Sequence, residues 1–130
     1  AAVRTLTEAG IRVSLFIDPD RDQLLAAREV RAPVVELHTG TYAEATWQQQ
    51  PLELARLTEG TFIARSLGLR VNTGHGLTYQ NVEPVAATLR SFGLEARAQE
   101  GWSLDGLKAE LAAGRPVMVW ATYDTSAVGG

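Results

Sequence analysis

The residues of this chain whose types and spacing could do chemistry are its two histidines and a few carboxylates near them. His75 sits in Gly74-His75-Gly76, where glycine on both sides exposes the imidazole. The same loop offers backbone N–H groups to an anion such as phosphate or sulfate. An imidazole exchanges protons near neutral pH but needs an acid–base or orienting partner. The pattern offers Glu36 and His38, which lie two residues apart and share one face of an extended strand. With His75 they could also make a metal set of two imidazoles and a carboxylate, if their strands were neighbours. The plainer reading leaves Glu36 facing water or in an ion pair, and no metal is assigned. Asp18, Asp20 and Asp22 have the spacing of an oxygen-ligand loop, but no glycine and distant glutamate complete an EF-hand. Turn and helix capping is the better reading of that trio.

The elements that must position these groups alternate between apolar β-rich runs and helical segments. Residues 11–17 (IRVSLFI) read as a strand ended by Asp18-Pro19-Asp20. Asp18 or Asp20 caps a helix whose apolar face is Leu24, Leu25, Ala27 and Val30. Residues 33–38 are a second strand closed by Thr39-Gly40. A helix within 46–68 has Leu54, Leu57 and Phe62 as its buried stripe and Gly68 as its stop. Residues 69–72 form a third strand running into the His75 loop. Residues 81–92 place Val82, Val85, Ala86 and Leu89 at helical spacing, with Gly93 as the stop. Residues 94–98 read as a fourth strand. Ser103 caps a helix over 104–113, and 116–122 (PVMVWAT) is a fifth strand apolar enough to be buried on both faces. Trp47 falls in a polar loop, Trp102 and Trp120 read as packing residues, and 124–130 as a flexible tail.

Such alternation predicts an α/β fold of five mostly parallel strands, either an open flavodoxin-like sheet or a partial (β/α)8 barrel. Five strands cannot close an eight-stranded barrel. The open sheet is preferred, because a partial barrel exposes its inner face unless a homodimer covers it. At 130 residues the chain reads as one α/β domain with room for a core. A net charge of -3 argues against a nucleic-acid partner. No apolar run is long enough to span a bilayer, and no secretory signal is visible. The absence of cysteine removes disulfides and thiol nucleophiles and fits a cytoplasmic protein.

Three motifs carry a resemblance. VSLFIDPD (Val13 to Asp20), VVELHTGTYA (Val34 to Ala43) and LGLRVNTGHGLTYQNV (Leu67 to Val82) resemble, in order and spacing, the pyridoxine 5′-phosphate synthases of vitamin B6 biosynthesis. The resemblance implies a phosphate-binding (β/α)8 barrel and covers its fifth to seventh strands. It further implies condensation of an aminoacetone phosphate with deoxyxylulose phosphate. On that basis Glu36 would stabilise the transition state, His75 would donate a proton, and the Gly76 N–H would bind phosphate. The family's N-terminal catalytic histidine and glutamate have no counterpart here. Its eighth-strand asparagine-isoleucine-glycine-histidine run is replaced by Thr88-Leu89-Arg90-Ser91-Phe92-Gly93.

Residues 83–123 resemble instead a middle segment of papain-like cysteine peptidases of the bacteriocin-processing type, without their cysteine or histidine. Two incomplete resemblances give the expectation of a chimera, engineered or recombined, joined near 81–87: residues 1–82 from the barrel and 83–123 from the peptidase. A natural protein holding both pieces is the alternative origin. The expected function is therefore non-catalytic, with no cofactor and at most weak phosphate binding at Gly74 to Gly76. The alternative is a truncated pyridoxine 5′-phosphate synthase with residual activity.

Overall fold

The computed structural model describes residues 2–94 and 103–113. They fall into two units, residues 1–98 and 99–130, taken separately below. The first unit holds α1 (Ala2–Glu8), β1 (Ser14–Ile17), α2 (Arg21–Glu29), β2 (Val34–His38), α3 (Gly40–Glu44), α4 (Gln50–Ser66), β3 (Arg70–Gly74) and α5 (Val82–Ser91). The second holds α6 (Leu104–Ala112), whose N-cap Ser103 hydroxyl accepts from the Gly106 N–H at 3.1 Å. Among the described residues no helix is long and apolar enough to cross a membrane.

The three strands form one open parallel sheet in the order β1-β2-β3, so the α/β expectation holds for the part described. The fourth and fifth strands expected over 94–98 and 116–122 lie outside the described residues, except Leu94. So do Trp102, Trp120 and the tail from 124.

Parallel strands gain their stability from helices packed on them, and the period of two decides which side chains meet those helices. Val35 and Leu37 of β2 are fully buried, and they share a core with Leu24 and Ala27 of α2, Leu57 and Ala64 of α4, Val71 of β3 and Val85 of α5. The alternate residues face the other way. Register places Phe16, Glu36 and Asn72 side by side across the three strands, with His38 beside Gly74 in the next row. That second face carries the chemistry-bearing residues, and Phe16 is 55% exposed on it.

Several expectations need correction. Leu25 and Val30 are exposed, because only Leu24 and Ala27 turn toward the sheet on the nine-residue α2. Phe62 is exposed too and lies 6.5 Å from the Phe92 ring, while Gly60, Thr61 and Ala64 join Leu57 on the buried side of α4. Five residues separate Leu57 from Phe62, which is about 140° beyond a full turn and off the stripe. Gly60 is there for space: a Cβ would lie 2.7 Å from the Pro19 Cβ. The strand expected over 11–17 shortens to Ser14–Ile17, and β3 extends to Gly74. The supposed junction near 81–87 is one uninterrupted helix. Asn81 is the N-cap of α5, and Val85 and Ala86 enter the core built by the strands before them.

Asp20 rather than Asp18 caps α2, its Oδ1 accepting from the Asp22 and Gln23 N–H groups at 3.1 Å. At the other end the Arg31 N–H donates to the Arg28 carbonyl and the Ala32 N–H to the Ala27 carbonyl, both at 3.0 Å. This is the pair of bonds that ends α4 and α5 at Gly68 and Gly93. Arg31 adopts the same left-handed backbone, with φ +60°, but carries a Cβ. Left-handed backbone costs a non-glycine residue roughly 1–2 kcal/mol. Part of the gain on changing to glycine is returned as unfolded-chain entropy. Arg31→Gly is therefore expected to stabilise the chain by about 0.5–1 kcal/mol, read from its denaturation midpoint.

Candidate functional site

The carboxyl ends of the three strands bring together Asp18, His38, Thr39, Gly40, His75 and Gly76. His38 is the last residue of β2, and its ring stands perpendicular to that of Phe16, with centroids 5.1 Å apart. His75 follows the last residue of β3. Its ring lies 4.8 Å from His38 and 6.2 Å from Phe16, centroid to centroid. The Asp18 carboxylate, just past β1, is 3.4 Å from His38 Nδ1. Glu36 lies one row deeper on the face that carries His38, half-buried, and it makes no ion pair or hydrogen bond among the described residues.

Both histidines and Glu36 thus gather on one face and its rim, as the strand period and the adjacency of β2 and β3 require. Among the described residues no group of three histidine, aspartate or glutamate side chains could hold a metal ion, so the Glu36, His38 and His75 set is not assembled.

The loop that carries His75 is held in an expensive conformation. His75 has φ +84° and Gly76 φ +71°, consecutive left-handed residues. Such backbone costs roughly 1–3 kcal/mol for a residue with a Cβ, so something must over-determine it. Thr39, the residue that follows β2, does so. Its N–H donates to the Gly74 carbonyl at 2.9 Å, and its buried hydroxyl sits 2.6 Å from that oxygen and 2.5 Å from the His75 carbonyl.

Asn81 closes the far side of the loop. Its Oδ1 accepts from the Thr78 N–H at 2.6 Å, its Nδ2 donates to the Gly76 carbonyl at 3.3 Å, and its own carbonyl accepts from the Tyr42 hydroxyl at 2.8 Å. Burial raises the Tyr42 pKa above its ordinary value of 10.0, which keeps that hydroxyl protonated and donating.

Gly76 has two reasons to be glycine, its left-handed backbone and the 2.8 Å that would separate a Cβ from the Ala43 Cβ. No acceptor for the Gly76 N–H lies among the described residues.

Phe16, Thr39, Gly40, Tyr42 and Asn81 were not singled out as site residues from the sequence. Thr39-Gly40 read as a turn closing a strand. The signal that could have exposed them is the histidine immediately before them, whose ring needs a residue without a Cβ nearby.

The family model described as "Pyridoxal phosphate biosynthesis protein PdxJ" matches residues 1–94. The chain belongs to the PdxJ family. It is 71% identical over 85 residues to the pyridoxine 5′-phosphate synthase of Synechococcus sp. strain WH7803, covering 65% of this chain and 34% of that protein. The synthase of Synechococcus sp. strain RCC307 is 69% identical over 85 residues, with the same coverage. That of Prochlorococcus marinus strain MIT 9313 is 68% identical over 85 residues, which are 65% of this chain and 35% of the relative. The chain spans about a third of the length of the curated relatives it matches.

The PdxJ match overturns the expectation of a non-catalytic chimera built from two unrelated enzymes. It runs through residues 81–87 without a break and includes α5, which had been assigned to the peptidase. Nothing in the comparisons supports a peptidase-derived segment or a junction.

Thr39→Val keeps the shape of the side chain and removes its donor, leaving the Gly74 and His75 carbonyls with less than they have. The expected cost is about 1–3 kcal/mol of stability. Hydrogen exchange at the Thr39 N–H, which donates to the Gly74 carbonyl, is expected to accelerate as the junction loosens, and Thr39→Ser is expected to restore both readings.

Proposed function

We propose that this chain supplies one part of a pyridoxine 5′-phosphate synthase site, with Glu36 and His75 as its catalytic groups and Gly76 as a phosphate ligand. The synthase relatives supply the reaction class, and their 68–71% identity over 85 residues is the support for carrying it to this chain. The observation that carries the site is the gathering of His75 beside His38 at the carboxyl end of adjacent parallel strands, on the face that also bears Glu36. In this reading the substrates are an aminoacetone phosphate and deoxyxylulose phosphate, condensed with loss of water and of one phosphate as inorganic phosphate, since the product pyridoxine 5′-phosphate keeps only one of the two.

Each residue has a role that its chemistry permits. A carboxylate placed as Glu36 is can stabilise positive charge as it develops, or accept a proton. With no competing partner among the described residues, its charge remains directed at the open face. The His75 imidazole can donate a proton to a departing oxygen, and the clamp on its carbonyl fixes the backbone from which the exposed ring projects at the rim. The Gly76 N–H can donate to a substrate phosphate, as loop amides at the end of a parallel strand commonly do. Since the chain spans about a third of its relatives' length, the whole reaction is proposed for the larger site to which these residues contribute.

A hybrid tests this reading. The aligned 85 residues of this chain would replace their counterparts in the Synechococcus sp. strain WH7803 synthase. The hybrid is expected to form pyridoxine 5′-phosphate. In it, Glu36→Gln and His75→Ala are each expected to lower kcat by about 100-fold or more, the usual scale for losing a general acid or a charge-stabilising group. A folded hybrid that makes no product, or one whose turnover survives His75→Ala, would contradict the assignment.

A further inference from the structure

The end of β2 grips His75 by more than its carbonyl. Three consecutive residues, His38, Thr39 and Gly40, each meet a different part of it. Thr39 holds the backbone oxygen. Gly40 leaves the room: a Cβ there would lie 2.7 and 2.8 Å from Cε1 and Nε2 of His38 and 3.1 Å from Cδ2 of His75. His38 supplies a wall, its ring 4.8 Å from that of His75 and inclined to it by 38°. The His38 ring is itself set from two further directions. Phe16 meets it at 89°, and the Asp18 carboxylate faces its Nδ1 at 3.4 Å.

A carboxylate can only accept, so Asp18 favours the form of His38 that carries a proton on Nδ1. A ring whose tautomer and plane are fixed presents a constant surface to its neighbour. We propose that Asp18 and His38 are positioning residues for His75: Asp18 orients the His38 ring, and that ring sets the plane of the His75 imidazole at the rim. The proposal deepens the synthase reading and rests on it for the claim that the orientation of His75 matters to a reaction. The coupling of the two rings stands on geometry alone. Phe16 completes the arrangement by meeting both rings, which gives a half-exposed aromatic residue on a polar face a definite task.

The test uses the 130-residue chain labelled with ¹⁵N in its histidines, read by long-range ¹H–¹⁵N correlation of the imidazoles. His38 is expected in the Nδ1–H form. Asp18→Asn, an isosteric change at a half-exposed side chain, is expected to reduce the excess of that form. It is also expected to move the ring signals of His75, while the backbone amides of the strands stay in place. In a His38→Gln background the same Asp18→Asn change should leave His75 unmoved, because the ring that relays it is gone.

His75 signals that do not respond to Asp18→Asn would overturn the proposal. So would a response that persists without His38, since Asp18 would then act on His75 directly. In the hybrid synthase, Asp18→Asn is expected to lower kcat about tenfold with KM within about twofold, the pattern of a misplaced catalytic group. A hybrid indifferent to His75→Ala would remove the synthase reading while leaving the ring coupling to be decided by the spectra.

Discussion

The hydroxyl and N–H of Thr39, aimed at the carbonyls of Gly74 and His75, are the contacts on which the rest of the site depends. They join the ends of β2 and β3 just where the sheet's own ladder stops. Without them the left-handed backbone at His75 would have no compensation from the strand beside it, and the loop would relax toward conformations any residue can adopt. The position is fully buried, so the hydrogen bonds form away from competing water and their loss would leave polar groups stranded. A strained backbone held by a buried clamp is a costly arrangement for a loop with no task.

The sheet divides its work between two faces. One face is stability: Val35, Leu37 and Val71 against α2, α4 and α5, with Gly60 letting α4 approach Pro19 closely. The other face is chemistry: Phe16, Glu36 and Asn72 in one row, and His38 with the His75 loop at its edge. Strand periodicity alone makes this separation possible, because neighbouring residues on β2 belong to different faces. It also explains why a parallel strand such as β2 departs from a continuous apolar run at Glu36 and His38.

Much of this was legible in the residue pattern. The α/β alternation and the caps at Asp20 and Ser103 follow from local chemistry that tertiary packing did not override, whereas the order β1-β2-β3 came only from the structure. The family was legible too, since its motifs lie in the order and spacing in which the structure uses them. The illegible part was relational. Thr39 and Gly40 look like ordinary turn residues until His75, 35 and more positions away, is placed beside them. Leu25 and Val30 are apolar residues at helical spacing that the nine-residue α2 leaves exposed because it buries only a narrow stripe, and Phe62 lies off the stripe of the longer α4. The chimera expectation failed for a related reason: an alanine- and leucine-rich helix such as α5 carries little family information in its composition, although its packing ties it to the strands before it.

If the clamp exists to present an imidazole and the Gly76 N–H to a phosphorylated substrate, the loop should bind phosphate itself. Titration of inorganic phosphate into the ¹⁵N-labelled chain, followed at the backbone amides, is the most direct test. Saturable shifts confined to Gly74, His75, Gly76 and Leu77 are expected in the millimolar range, and they should disappear with Thr39→Val. Amides at these four positions that stay unchanged through that range, in a chain that is otherwise folded, would contradict the account.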